Sequence, residues 1–348
     1  MELIIFESMD FSEPINLLIT GGTGSFGRAF IQNLIDNYKN VNRLVIFSRD
    51  ELKQWELRNK YPIEKYPFIR YFLGDIRDKS RIKRALNGID IVVHAAALKQ
   101  VPTAEYNPME FIKTNIYGAH NLIEACLDSN VKKVIALSTD KAAAPINLYG
   151  ASKLCSDKLF VSANNIVGKS DQNFSIIRYG NVMGSRGSVI PLFIESAKKG
   201  KLFITDPKMT RFNISLIESV EMVLWAIKNS IGGEIFVPKI PSFKISDVAD
   251  AISTKCEKII TGIRPGEKLH EEMITEADGI NTLDLGNYYA ITPDKEKFMK
   301  KYKRLNISFK QLNEGFFYRS DTNSKFLNIN EIRELILKNV DPYFSPII

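Results

Sequence analysis

Thr20-Gly21-Gly22-Thr23-Gly24-Ser25-Phe26-Gly27 follows the short apolar run Ile15 to Thr20 and opens an amphipathic stretch that continues to about Tyr38. Glycines at 21, 24 and 27 let the backbone turn tightly, approach a pyrophosphate and pack a helix against a strand. The helix N-terminus that follows offers amide donors and the positive end of its dipole. A glycine trio alone is a weak signal. Directly after a first strand it reads as a nucleotide-binding loop, with Gly21, Thr23, Gly24, Ser25, Phe26 and Gly27 around the phosphates.

Outward from that loop the chain alternates. Apolar runs at Arg43 to Ser48, Ile69 to Leu73, Ile89 to Ala95, Lys133 to Ser138 and Phe174 to Tyr179 read as strands. Between them lie helical stretches around Glu51 to Arg58, Ser80 to Leu86, Pro108 to Ser129 and from Tyr149 onward. Near-continuous apolar strands alternating with helices predict an α/β fold, a doubly wound parallel (Rossmann) sheet covered on both faces. After Arg178 the elements shorten and the loops lengthen. We therefore expect an N-terminal appendage (1–14), a dinucleotide-binding domain (15–180) and a smaller C-terminal substrate-binding lobe (181–348), some of whose segments return to the first domain.

The end of the second strand selects the dinucleotide. Arg49 stands 22 residues after Gly27, where an acidic residue would grip a ribose 2′-hydroxyl. Ser48, Arg49 and Lys53 instead offer hydrogen bonds and charge to a 2′-phosphate, which favours NADP; Asp50 keeps NAD open. Asp75 and Ile76 follow the third strand and suit the adenine edge. Ala95 and Ala96 end the fourth with small side chains, as close cofactor approach requires.

Bulk properties exclude other classes. Of 348 residues, 45% are hydrophobic and 25% charged, enough for a large core. No apolar run approaches the ~18 residues needed to span a bilayer. Met1 to Ser12 carries three acidic residues and no Lys or Arg, unlike a signal peptide, so a cytoplasmic protein is expected. Three cysteines and three histidines are too scattered for a disulfide framework or a metal site; buried, reduced thiols are expected. The net charge of +7 suits polyanionic ligands, and no nucleic-acid motif accompanies it.

Tyr149 and Lys153 are four apart, which on a helix puts them on one face. A nearby ammonium stabilises a phenolate, and lysine can also hold a nicotinamide ribose. At the end of the fifth strand stands Ser138-Thr139-Asp140-Lys141. Ligands in such sheets sit at the carboxyl ends of the strands. A dehydrogenase or epimerase needs only the Thr139-type hydroxyl and the tyrosine there. The adjacent acid and amine, Asp140 and Lys141, add the second acid–base pair that an elimination requires.

These stretches, with Gly74-Asp-Ile-Arg-Asp78, Ala95-Ala-Ala-Leu-Lys99, Arg178-Tyr-Gly-Asn-Val-Met-Gly-Ser-Arg-Gly-Ser188, Met209-Thr-Arg-Phe212 and Arg264-Pro-Gly-Glu-Lys268, form an ordered series. The series resembles the inverting UDP-N-acetylglucosamine 4,6-dehydratases of pseudaminic acid biosynthesis, within the extended short-chain dehydrogenase/reductase family. The resemblance implies a UDP-N-acetylglucosamine substrate, an NADP cofactor, a soluble protein and a homo-oligomer, with a hexamer as the candidate assembly. It implies that Lys99, Asn181, Val182, Arg186, Gly187, Ser188, Val189, Ile190, Pro191, Arg211 and Arg264 bind the substrate. Lys99 is also expected at the cofactor. Asn213-Ile214 departs from the family pattern. Rival readings are a UDP-sugar 4-epimerase, which would not need Asp140 and Lys141, and a non-catalytic NADP-sensing protein, which would not need the catalytic side chains.

Overall fold

Six runs form the first strands of the sheet, their central residues buried in all but the edge strand β3: β1 (Ile15–Thr20), β2 (Val41–Ser48), β3 (Ile69–Leu73), β4 (Ile91–His94), β5 (Lys133–Thr139) and β6 (Asn173–Tyr179). The computed structural model describes residues 13–168, 170–185 and 187–348. Nearly all of the expected appendage, and Arg186, lie outside the described residues. The order β3-β2-β1-β4-β5-β6 is parallel throughout. It is the doubly wound arrangement, because the alternating helices return each strand in the same direction.

The sheet continues past β6 with Ile235–Pro238, still parallel, and then with Tyr288–Ile291, Thr282–Asp284 and Lys310–Gln311, all antiparallel. Segments beyond residue 181 thus return to the main sheet. The rest of that half has its own core, built from Met183, Ile190, Phe193, Leu202, Phe243, Val248, Ile332 and Ile336. Small sheets surround it, among them Asn181–Val182 against Thr210–Ile214 and Ser242–Lys244.

Two expectations change. The stretch Pro108 to Ser129 is not one α-helix: it begins as Pro108–Phe111, widens into a π-helical turn at Ile112–Tyr117 and resumes as Gly118–Leu127. The wide turn carries buried Asn115. Its Nδ2 donates to the Leu98 carbonyl at 2.9 Å and to Ser152 Oγ at 3.0 Å, and its Oδ1 accepts from the Leu98 amide at 2.9 Å. Such insertions often mark functional sites, and this one ties the segment carrying Lys99 to the helix carrying Tyr149. Among the cysteines, Cys126 and Cys256 are buried but Cys155 is exposed, because it faces away from the sheet on helix Leu148–Ala163.

Strand order reverses between β1 and β4, and the crevice for ligands opens at their carboxyl ends. The glycine loop is stitched there: the Gly21 amide donates to the Phe47 carbonyl at 2.9 Å and the Ala95 amide to the Thr20 carbonyl at 3.2 Å. Gly21 has a φ of +68°, and a Cβ on Gly27 would sit 2.4 Å from the Gly22 carbonyl oxygen. Gly27→Val should therefore cost about 1–3 kcal/mol through overpacking. Chemical denaturation checks this; a variant as stable as the parent would contradict the packing.

Candidate active site

A cleft of about 920 Å³ runs from the glycine loop along the carboxyl ends of β1, β4 and β5. At one end helix Ser25–Asn37 begins at Gly24, with no side-chain cap and no acidic residue in its first turn. The next two helices are capped, by Asp50 and Asp78. An uncapped N-terminus beside a glycine cradle fits a pyrophosphate, whose oxygens would satisfy the orphan amides.

At the end of β2, Ser48 Oγ accepts from Gln54 Nε2 at 2.9 Å. Asp50 caps helix Glu51–Lys60, accepting from the Lys53 amide at 3.0 Å, and also binds the Lys53 ammonium. Its carboxylate is committed to those two partners. Arg49 projects half-exposed, 3.6 Å from Asp75. Asp75 is the one expected cofactor residue off the cleft wall; Ile76, Ala95, Ala96 and Lys99 line it with the glycine loop, Ser48, Arg49, Asp50 and Lys53.

The reacting end is built by β5, the short turn Asp140–Ala142 and helix Leu148–Ala163. Thr139, Asp140, Lys141, Tyr149 and Lys153 all line the cleft together. Asn147 caps the helix, accepting from the Gly150 amide at 2.8 Å, and its Nδ2 donates to the Gly266 carbonyl at 2.8 Å. Lys268 donates to the Ala143 carbonyl at 2.7 Å. The Arg264–Lys268 motif thus braces the Asp140–Ala142 turn and the start of the helix from the lobe side.

Asp140 is fully buried. Its Oδ1 accepts from Lys141 Nζ at 3.0 Å and from Thr139 Oγ1 at 2.9 Å. Lys141 Nζ also lies 3.2 Å from Glu271 Oε1, a carboxylate only 2% exposed. Asp140 Oδ2 and Glu271 Oε2 are both buried without a hydrogen-bond partner. Burial pulls the Lys141 pKa down, but Asp140 and Glu271 outweigh it and hold the amine above its usual value.

Tyr149 is buried and its phenol is pushed up to about 12 by desolvation, against the pull of the Lys141 charge and the Thr139 hydroxyl. Lys153 was expected to supply that pull. Its ammonium is turned instead to the Leu137 carbonyl, at 2.7 Å, and is shifted down by burial. Behind it, buried Asp157 accepts from Ser138 Oγ at 2.8 Å and pairs with Arg178 at 3.4 Å. Arg178 reaches on to the Met273 carbonyl at 3.0 Å and Asp278 at 3.1 Å.

Of the expected substrate residues, Lys99, Asn181, Val182, Gly187 and Ser188 line the cleft, whereas Val189, Ile190, Pro191, Arg211 and Arg264 do not. Val189, Ile190 and Pro191 begin helix Val189–Ala197, where Ile190 packs into the lobe core. Arg211 is buried and bonds the carbonyls of Thr210, Lys268 and Leu269, with Nε 3.7 Å from Glu271. Arg264 is exposed, 3.8 Å from Glu267. Asn115, Asp157 and Glu271 escaped sequence reasoning. Only Asp157 left a trace, four residues after Lys153 and so on the same helix face.

A family model described as polysaccharide biosynthesis protein matches residues 17–293. The UDP-N-acetylglucosamine 4,6-dehydratase (inverting) of Campylobacter jejuni subsp. jejuni serotype O:2 is 52% identical over 328 residues, covering 92% of this chain and 97% of that protein. A UDP-glucose 4-epimerase of Rickettsia bellii is 44% identical over 333 residues, covering 93% and 96%. Among solved structures, Pen from Bacillus thuringiensis is 35% identical with a TM-score of 0.84, covering 94% of this chain and 98% of that one. A dTDP-glucose 4,6-dehydratase from Streptomyces venezuelae, with NAD and TYD bound, shares the fold at 23% identity and a TM-score of 0.64, covering 73% and 87%.

A Cβ on Gly150 would sit 2.1 Å from the Lys141 carbonyl oxygen. Gly150→Ala is therefore expected to displace the turn carrying Asp140 and Lys141. Turnover should fall at least tenfold while the dinucleotide still binds; activity equal to the parent enzyme would show the close contact to be dispensable.

Proposed function

The chain belongs to the polysaccharide biosynthesis protein family and, within it, to the sugar-nucleotide 4,6-dehydratases of the extended short-chain dehydrogenase type, and from that premise we propose that it is an NADP-dependent enzyme that dehydrates UDP-N-acetylglucosamine with inversion at C5. The product would be UDP-2-acetamido-2,6-dideoxy-β-L-arabino-hex-4-ulose, for pseudaminic acid synthesis. One observation carries this reading: Asp140 and Lys141 share the cleft wall with Tyr149 and are bonded to each other at 3.0 Å.

NADP, when bound, supplies a hydride acceptor for C4 and a hydride donor for C6, so the reaction is redox-neutral. The glycine loop and the uncapped helix would hold its pyrophosphate, and Arg49 its 2′-phosphate. Support for the 2′-phosphate comes from Asp50, whose carboxylate already serves the helix cap and Lys53. Tyr149 takes the C4 hydroxyl proton. The resulting ketone acidifies the C5 hydrogen; Lys141 removes that proton and Asp140 protonates the departing 6-hydroxyl. C5 is then reprotonated from the opposite face.

The resting ion pair already holds the proton this needs. Moving it from Lys141 to Asp140 yields a free amine beside a carboxylic acid, the base and the acid of the elimination. Taking the C5 proton and giving one to the leaving water restores the ion pair. Lys99, Asn181 and the Gly187-Ser188 backbone stand on the cleft wall where the UDP-sugar would lie.

Relatives named UDP-glucose 4-epimerase favour a second reading, 4-epimerisation, which would use Tyr149 without the Asp140–Lys141 pair. Mass spectrometry of the product separates the two: dehydration removes about 18 Da, one water, and epimerisation removes none. Lys141→Met should lower turnover by about 10² to 10⁴ with NADP binding retained, and turnover within tenfold of the parent would remove Lys141 from the mechanism. Arg49→Ala should weaken NADP by roughly 10- to 100-fold, the worth of a charge-assisted hydrogen bond, and leave NAD nearly unchanged. Equal losses for both dinucleotides in a binding titration would refute the 2′-phosphate role.

A further inference from the structure

We propose that Glu271 is the positioning residue for Lys141, a second carboxylate that clamps the amine opposite Asp140 and thereby makes it a competent base for C5. The inference rests on the dehydration proposed above and deepens it. Neither the loop motif nor residue spacing marks Glu271 in the sequence. It reaches the catalytic turn from the position just before the strand Glu272–Ile274, at the lobe side of the cleft.

The geometry is that of a built clamp. Glu271 Oε1 lies 3.2 Å from Lys141 Nζ, while Asp140 Oδ1 lies 3.0 Å from the same nitrogen. Glu271 is itself held on three sides. Its amide donates to Ser320 Oγ at 2.9 Å, its carbonyl accepts from the Ser320 amide at 2.8 Å, and Arg211 Nε stands 3.7 Å from Oε1. Arg211 in turn grips the carbonyls of Lys268 and Leu269, so the loop that delivers Glu271 is fixed from within. A lysine side chain has several free rotors to immobilise, and one contact to an adjacent residue would not remove that freedom. Two carboxylates from different parts of the chain confine the amine along a line.

Charge balance points the same way. Buried Asp140, Glu271 and Arg211 form, with the partly exposed Lys141, a group of two carboxylates and two cations. Tyr149, Lys99 and Lys268 face the same ammonium from the neighbouring helix and loops. When a proton passes from Nζ to an Asp140 oxygen, an N–H bond breaks, an O–H bond forms and the electron pair stays on nitrogen. The group as a whole remains neutral. Glu271 then faces the free amine with its charge, and that charge favours the ammonium formed when the amine captures the C5 proton. Removing Glu271 leaves Arg211 and Lys141 with Asp140 alone, which lowers the proton affinity of the amine.

The test compares Glu271→Gln, which keeps the shape and removes the charge, with Glu271→Asp, which keeps the charge. In the protein without substrate, the Lys141 ammonium is followed by NMR of the ¹⁵N-lysine-labelled chain, assigned with Lys141→Met. The Gln variant should titrate at lower pH than the parent and the Asp variant near it. With UDP-N-acetylglucosamine in deuterated water, deuterium entry at C5 and loss of water should fall at least tenfold in the Gln variant. The pH profile of those steps should shift, C4 oxidation (read at the reduced nicotinamide absorbance in a single turnover) should stay within about threefold, and the Asp variant should recover part of the loss.

Thermal melting confirms that the variants fold. A Gln variant with parental Lys141 titration and parental C5 exchange overturns the inference, as does an equal loss in C4 oxidation and C5 exchange. If the parent itself releases no water from the substrate, the dehydration reading fails. The lysine titration still decides whether Glu271 controls Lys141.

Discussion

The Lys141 ammonium is held between two buried carboxylates, Asp140 beside it in the chain and Glu271 from the lobe side of the cleft. A buried charge is tolerated only when paired, and removing one partner of such a pair is strongly destabilising. The contact therefore constrains both halves of the molecule. The loop bearing Glu271 must stay docked on the turn bearing Asp140 and Lys141, and the cleft between them keeps its shape. Lys268 on the Ala143 carbonyl and Asn147 on the Gly266 carbonyl reinforce the same junction.

A second buried line runs parallel to it. From Lys153 it passes to Asp157, then to Arg178, and through Arg178 to the Met273 carbonyl and Asp278. Met273 lies two residues beyond Glu271, so the strand that delivers the lobe carboxylate is anchored to the helix that carries Tyr149 and Lys153. Lys153 on that helix and the Met273 carbonyl beside Glu271 are thus joined through Asp157 and Arg178. The fold leaves this network at the carboxyl ends of β5 and β6, where a doubly wound sheet places its ligands.

Much of this was legible in the sequence, and the reasons are local. β1 falls on the residues expected, and β4 and β5 within two residues of them, because strands buried on both faces read as continuous apolar runs; β3, the partly exposed edge strand, also falls where expected. The glycine loop and the Tyr149–Lys153 spacing report backbone geometry and helix period directly. What stayed hidden depends on partners distant in the chain. Glu271 gave no signal because its meaning lies in a contact with Lys141 from another part of the fold. Arg211 looked like a ligand arginine, yet its guanidinium is spent on the carbonyls of its own lobe. The π-helical turn at Ile112–Tyr117 was unreadable because it answers to Leu98 and Ser152, not to local propensity. Cys155 was misjudged from cysteine's usual burial.

In the proposed mechanism the Lys141 amine and the Asp140 carboxyl group face the fifth and sixth carbons of the sugar. A crystal structure of the protein with NADP and UDP-N-acetylglucosamine tests it most directly. Lys141 Nζ and the Asp140 carboxyl group should lie within roughly 3 to 3.5 Å of C5 and of the 6-hydroxyl, the separation of reacting atoms in a near-attack arrangement. A sugar seated with C5 and C6 turned away from both side chains would contradict it.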